Sequence, residues 1–197
     1  FMKKVKHIVQ FIIIYTLLIL FKILGYKASS YLGYLIGKLI GPIFRSKLSI
    51  LENLKKANIK NINNYEDIAS NVFGNYGRIF GEYVHLKNFR NDKLKEYISI
   101  EGLENLESIK KNKKKVVFIS GHFNNFELMA MQIEKVGINL AAIYRPLNNP
   151  HLNKIMEQIR VRDICKTQIK KGRAGTREII KNLNKGSSIA IMIDQRV

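Results

Sequence analysis

The 197-residue chain has one cysteine, Cys165, so no disulfide can form within it and a reducing compartment is permitted. Cys165 has no histidine beside it in sequence, which reads as a small core residue and not as a catalytic nucleophile. No cluster of Cys and His has metal-ligand spacing, and neither a Walker loop nor a Gly-x-Gly-x-x-Gly fingerprint is present, so no metal and no cofactor are expected. The Gly-x-Ser-x-Gly elbow is missing too, which argues against a serine hydrolase built on Ser120. No internal repeat or low-complexity linker appears. Acidic residues are scarce: 15 stand against 34 basic ones, giving a formal charge of +19, and the first fifty residues contain none. Such a charge suits anionic lipid head groups, nucleic acid or an acidic protein.

What fills those first fifty residues chooses among the three. Lys3, Lys4, Lys6, Lys22, Lys27, Lys38, Arg45 and Lys47 flank the most apolar stretch of the chain, a pattern of attraction to an anionic membrane surface. A basic nucleic-acid-binding protein is the alternative. It leaves the apolar segment without a role, and no recognised RNA or DNA motif is present, so no nucleic-acid partner is expected. From Ile8 to Leu24 only Gln10, Tyr15, Thr16 and Lys22 interrupt the apolar run. As a helix this stretch is about 26 Å long against a hydrocarbon core of about 30 Å, a marginal span. A cleaved signal peptide is the rival, with Ala28-Ser29-Ser30 supplying small residues. Retention is the better reading because Tyr31 to Phe44 stays apolar and basic, which suggests a second, membrane-facing helix ending near Gly41-Pro42.

Residues 47–58 read as a short helix, and Asn64 caps a longer one whose apolar residues from Ile68 to Val84 recur at intervals of three and four. Residues 87–114 read as charged and loop-like. Beyond Lys115 the rhythm alternates: strands at 115–120, 139–145, 163–168 and 188–193, helices at 125–136, 151–162 and 174–185. The expected fold class is α/β, a largely parallel sheet flanked by helices, with an N-terminal helical membrane-associated segment. Parallel strands all end on one side, so His122, Arg145 and Asp194, each placed at a strand end, can converge on one cleft.

The run Ser120-Gly121-His122-Phe123-Asn124-Asn125-Phe126-Glu127 follows the apolar strand Val116-Val117-Phe118-Ile119. It places a histidine and a carboxylate where a strand gives way to a helix. On one regular helix a five-residue separation would set the two side chains roughly 140° apart, so they can meet only if His122 lies in the turn before the helix. In that geometry Glu127 can accept one imidazole N–H and aim the other nitrogen at a substrate hydroxyl. Asn124 and Asn125 are expected to cap the helix. Arg173 and Arg177 lie four apart on a helix and share a face that can meet phosphates, or that serves equally well as solvated surface. His7, His85 and His151 lack a comparable setting and receive no catalytic role.

His122 with Glu127, the Tyr144-Arg145-Pro146 run with Asn149-Pro150, the Gly175, Arg177 and Gly186 segment and the Asp194-Gln195 ending resemble, in this order, the lipid A biosynthesis acyltransferases of the late, lauroyl or myristoyl, type. The resemblance reaches upstream through the apolar amino terminus, Asn53-Leu54 and Glu82. It implies a membrane anchor and interfacial helix in residues 1–46 and an acyltransferase domain in 47–197. It also implies transfer of a fatty acyl group from acyl carrier protein to a hydroxyl of a lipid A precursor or similar glycolipid, at the cytoplasmic face of the inner membrane, with anionic membrane lipids as further partners. An acceptor that is another glycolipid or a lysophospholipid is the alternative. His122 and Glu127 would be the catalytic pair, and Arg145, Asp194 and Arg177 would bind substrate. A structural ion pair between Arg145 and Asp194 is the plainer role for those two. The family's chain runs on past its Asp-Gln motif, so truncation of the domain at its carboxyl end is expected.

Overall fold

A computed structural model describes residues 2–44, 46–57 and 64–194. Arg45, Gln195 and Asn58, the last residue expected of the third helix, lie outside the described residues. By packing the chain forms two compact units: Tyr15–His85 is one, and the segments before and after it make the other.

Helix α1 (Met2–Leu24) contains the apolar stretch and is the one helix, among the described residues, long and apolar enough to cross a membrane. Its 23 residues reach about 34 Å, because the helix starts well before Ile8. Most of its apolar side chains are exposed, Ile12, Ile13 and Ile23 among them. Gly25, at φ 78°, breaks the chain into α2 (Tyr26–Phe44), where Pro42 sits in the last turn instead of ending the helix before it. Helices α3 (Lys47–Ala57) and α4 (Tyr65–Glu82) follow, and the Asn64 side chain caps α4 by accepting the Asp67 N–H at 3.1 Å. Helices α2 and α4 pack backbone to backbone. A Cβ on Gly77 would lie 2.1 Å from the Gly33 carbonyl oxygen, so only glycine permits that approach.

The other unit is an α/β layer structure. After His85 it resumes with α5 (Leu86–Arg90) and α6 (Leu103–Lys111), the latter in a segment whose charge suggests a loop. Strands β1 (Val117–Ser120), β2 (Leu140–Tyr144), β3 (Thr167–Lys170) and β4 (Ser188–Met192) alternate with α7 (Glu127–Lys135), α8 (Pro150–Ile159) and α9 (Arg173–Asn184). The sheet is fully parallel with order β1-β4-β2-β3, so the last strand inserts between the first and second. Ala141, Ile169 and Ile189 are buried on one face, under Ile179 and Leu183 of α9. Gly175 lets α9 lie on the sheet, since a Cβ there would fall 2.1 Å from the Lys170 carbonyl oxygen. Asn149-Pro150 starts α8, with Pro150 in its first turn. The Asn149 side-chain oxygen accepts the His151 and Leu152 N–H groups, and its amide donates to the His7 carbonyl of α1 at 2.8 Å.

Candidate active site

Strands β1 and β4 are neighbours in register, with Ser120 opposite Met192 and the Ile193 N–H donating to the Ser120 carbonyl at 3.0 Å. Two residues further along each chain stand His122 and Asp194. The ladder therefore delivers them side by side at the carboxyl end of the sheet, the edge where ligands bind in folds of this kind. Asp194 uses both oxygens on His122. Oδ2 accepts the His122 backbone N–H at 2.8 Å, and Oδ1 lies 2.7 Å from the imidazole Nδ1. The backbone N–H first, and the imidazole with it, hold the Asp194 carboxyl below its ordinary value of 3.8. An ionised carboxylate accepts only, so the neutral imidazole carries its proton on Nδ1 and keeps the Nε2 lone pair free. The Phe126 ring stands edge-on to the imidazole, with centroids 4.6 Å apart, and restricts its rotation.

His122 lies in the turn before α7, as required for the five-residue spacing to bring it near Glu127. The carboxylate that meets the imidazole is nevertheless Asp194. Glu127, the first residue of α7 and 7% exposed, has its Oε1 held by Arg160, from Nε at 3.0 Å and Nη2 at 2.8 Å. Arg160 follows α8, in the single π-helical turn Arg160–Ile164, and its guanidinium carbon lies 5.4 Å from the centroid of the Tyr144 ring. The Tyr144 hydroxyl donates to Glu157, which also pairs with Lys170 at 3.2 Å. Burial first, then Glu157, raises the Tyr144 pKa, while that hydroxyl is the main cause lowering the Glu157 carboxyl. A second network, Glu127–Arg160–Tyr144–Glu157–Lys170, thus spans the ends of β2 and β3. Arg160 was not singled out from the sequence. Its one signal is a position at the end of an amphipathic helix with no acid at helical spacing before it except Glu157.

Arg145 follows β2 directly with its side chain exposed. Strand β4 separates β2 from β1, which sets Arg145 about 10 Å across the sheet from the His122 strand end. Among the described residues no salt bridge joins it to Asp194, which faces His122 instead. Arg177 is exposed on α9, one turn after Arg173 at the helix start. Asn124 takes φ 42°, Phe126 occupies the N-cap position of α7, and no side chain caps it, so the expected asparagine cap is replaced by backbone contacts to the Asn124 and Asn125 carbonyls.

The rival nucleophiles are poorly placed. The Ser120 hydroxyl points to the Gly121 carbonyl at 3.4 Å, and Cys165 is 1% exposed with its thiol pushed up to about 11 by burial. His85 is buried against Ser29 and the Phe21 carbonyl, and burial lowers its pKa. Among the described residues no group of three or more metal-ligating side chains occurs. A histidine with an unprotonated Nε2, oriented through Nδ1 by an ionised carboxylate, can take a proton from a hydroxyl.

No curated protein matches the chain. The family model described as bacterial lipid A biosynthesis acyltransferase does match it, over residues 1–197, and this chain belongs to that family.

Proposed function

We propose that the protein moves a fatty acyl group from acyl carrier protein to a hydroxyl of a lipid A precursor, with His122 as general base. Family membership makes it an acyltransferase of lipid A biosynthesis. The donor, the acceptor in detail and the residue roles are our reading. The observation that carries it is the doubly bonded His122–Asp194 pair at the carboxyl ends of β1 and β4. In this scheme the acceptor hydroxyl gives its proton to Nε2 as its oxygen attacks the thioester carbonyl. The carbon–sulfur bond then breaks, and the leaving thiolate takes the proton back from the imidazolium. Asp194 balances the imidazolium while it exists. Glu127 belongs to the catalytic group as a positioning carboxylate: held by Arg160, it fixes the start of α7 beside the His122 turn. Arg145 and Arg177, exposed at the same end of the sheet, bind acceptor phosphate or thioester oxygen.

Residues 1–46 attach the protein to the cytoplasmic face of the inner membrane, helped by anionic lipids, and residues 47–197 carry the acyltransferase function. The test is mass spectrometry of the products formed from mixed acyl carrier protein thioesters and a lipid A precursor, for the protein and for His122→Ala. We expect a product heavier by one acyl group, formed 10²–10⁴-fold more slowly by the variant, the usual contribution of a general base. Near-equal turnover by the folded variant would rule out the mechanism.

A further inference from the structure

We propose that the helical unit Tyr15–His85 carries a flank that binds the phosphates of anionic phospholipids, lined by Lys38 and Arg78 at the Tyr34 ring, beside an apolar ridge that enters the leaflet. The inference rests on the membrane attachment proposed above and adds the residues that read the lipid charge. Helix α2 has three distinct faces. Gly33, Gly37 and Gly41 turn toward α4. Tyr31, Leu35, Leu39 and Ile43 recur every four residues on the opposite side and are 62%, 43%, 78% and 79% exposed. Tyr34 and Lys38 lie between these faces, along one flank. An exposed apolar row bordered by basic residues is the pattern of a helix lying in the membrane interface, and Tyr31 is of the kind that favours the head-group level.

The flank holds two cations whose acids are reached only through another side chain, Asn71 donating to Asp67 at 3.3 Å on the Lys38 side. Lys38 Nζ lies 5.4 Å and the Arg78 guanidinium carbon 4.8 Å from the centroid of the same Tyr34 ring. The Tyr34 hydroxyl donates to Asn71 Oδ1 at 2.5 Å, and Lys38 donates to that oxygen at 3.4 Å. Arg78 donates to the Ser30 hydroxyl at 3.3 Å, and Ser30 in turn donates to the buried Glu82. These contacts position two cations over one ring, while among the described residues neither forms a salt bridge. The ammonium and the guanidinium can each donate to a lipid phosphate oxygen. The occupant is a bilayer lipid because the ridge beside the cations is apolar, α2 has no acidic residue, and the exposed apolar side chains Ile19, Ile23 and Leu24 of α1 belong to the same unit.

The test uses the full chain and vesicles of pure phosphatidylcholine or of phosphatidylcholine with phosphatidylglycerol, read by flotation, with circular dichroism as the check on folding. Lys38→Gln with Arg78→Gln should lower the preference for the anionic vesicles about 10- to 30-fold. Lys55→Gln with Lys56→Gln, an equal loss of charge on α3, should lower it far less. Leu39→Ser with Ile43→Ser, both at exposed positions, should weaken binding to the two vesicle types by the same factor, about tenfold or more. The site is disproved if the Lys38/Arg78 and Lys55/Lys56 pairs behave alike. It is equally disproved if the charge preference appears only when a phosphorylated glycolipid replaces phosphatidylglycerol, or if the ridge variant binds like the parent. Loss of all binding to phosphatidylcholine by the parent chain would instead overturn the attachment reading, a result distinct from any of these.

Discussion

Asp194→Asn is the sharpest perturbation of the site, because the two side chains have nearly the same shape and differ in what their atoms can accept. The aspartate offers two acceptor oxygens and both are used, one for the His122 backbone N–H at 2.8 Å and one for Nδ1 at 2.7 Å. Asparagine offers one oxygen and one NH₂. Whichever way it turns, one of the two His122 groups meets a donor. If the oxygen stays on the backbone N–H, the NH₂ faces Nδ1, the imidazole proton moves to Nε2, and the base is lost. If the amide flips, the loop N–H loses its acceptor and the turn that carries His122 loses its tie to β4. Either way the rate should fall within the 10²–10⁴-fold worth of a general base, which is about 3–5 kcal/mol of barrier. Asp194 is 40% exposed at its side chain, so water replaces part of what is lost and folding stability should change little by comparison. The assay is single-turnover acyl transfer under saturating donor, with urea melting to separate rate from stability. A variant within about threefold of the parent rate would refute the claim that Asp194 sets the tautomer.

Arg160→Met should destabilise the fold by about 3–5 kcal/mol, because the guanidinium hydrogen bonds to Glu127 would be lost in a site where that side chain is only 9% exposed; Arg160→Lys should restore part of the loss in chemical denaturation. Gly77→Ala should cost about 1–3 kcal/mol or more by forcing α2 from α4, visible as an earlier loss of helical circular dichroism. Since the depressed Asp194 pKa contributes stability above its ordinary value of 3.8 and loses it as pH falls through the lower, folded-state value, a carboxyl carbon NMR titration should place its midpoint below 3.8, and a midpoint above that would contradict the two hydrogen bonds. Deleting residues 1–46 should move the protein out of the membrane fraction, whereas molar salt, with a screening length of about 3 Å, should leave the intact chain there.

Much of this architecture is legible in the sequence because it rests on short-range pattern. Apolar runs such as Ser188 to Met192 and the helix periodicity of 173–184 appear where the residues place them. Asn64 and Asn149 act as caps because a short side-chain oxygen before a helix has few better uses. The pattern fails at α6, where Leu103, Leu106 and Ile109 are a helical set, but the surrounding lysines and glutamates mask it. It also misjudges the boundary after α8, where a π-turn delays β3 to Thr167.

Local pattern is also blind to sheet order, and the site depends on it. A sheet with β4 at an outer edge beyond β3 would have put Asp194 about 15 Å from the end of β1, given strands about 4.8 Å apart. Inserting β4 between β1 and β2 brings the aspartate, 72 residues away in sequence, into contact with His122. Glu127 has the shorter chain separation, but it starts a helix whose inner face is buried, and there a carboxylate requires a cation. Arg160 supplies it across 33 residues. The two acids assigned to the proposed base are therefore sorted by burial. The exposed one is free to follow the imidazole, while the buried one is bound to an arginine. Exchanging their chemistry separately tests this sorting: Glu127→Gln should mainly lower stability, by weakening the Arg160 pair, and Asp194→Asn should mainly lower rate. If Glu127→Gln instead slows acyl transfer as severely as Asp194→Asn while leaving the urea midpoint unchanged, then Glu127 serves the imidazole directly during turnover and its role here has been assigned to the wrong partner.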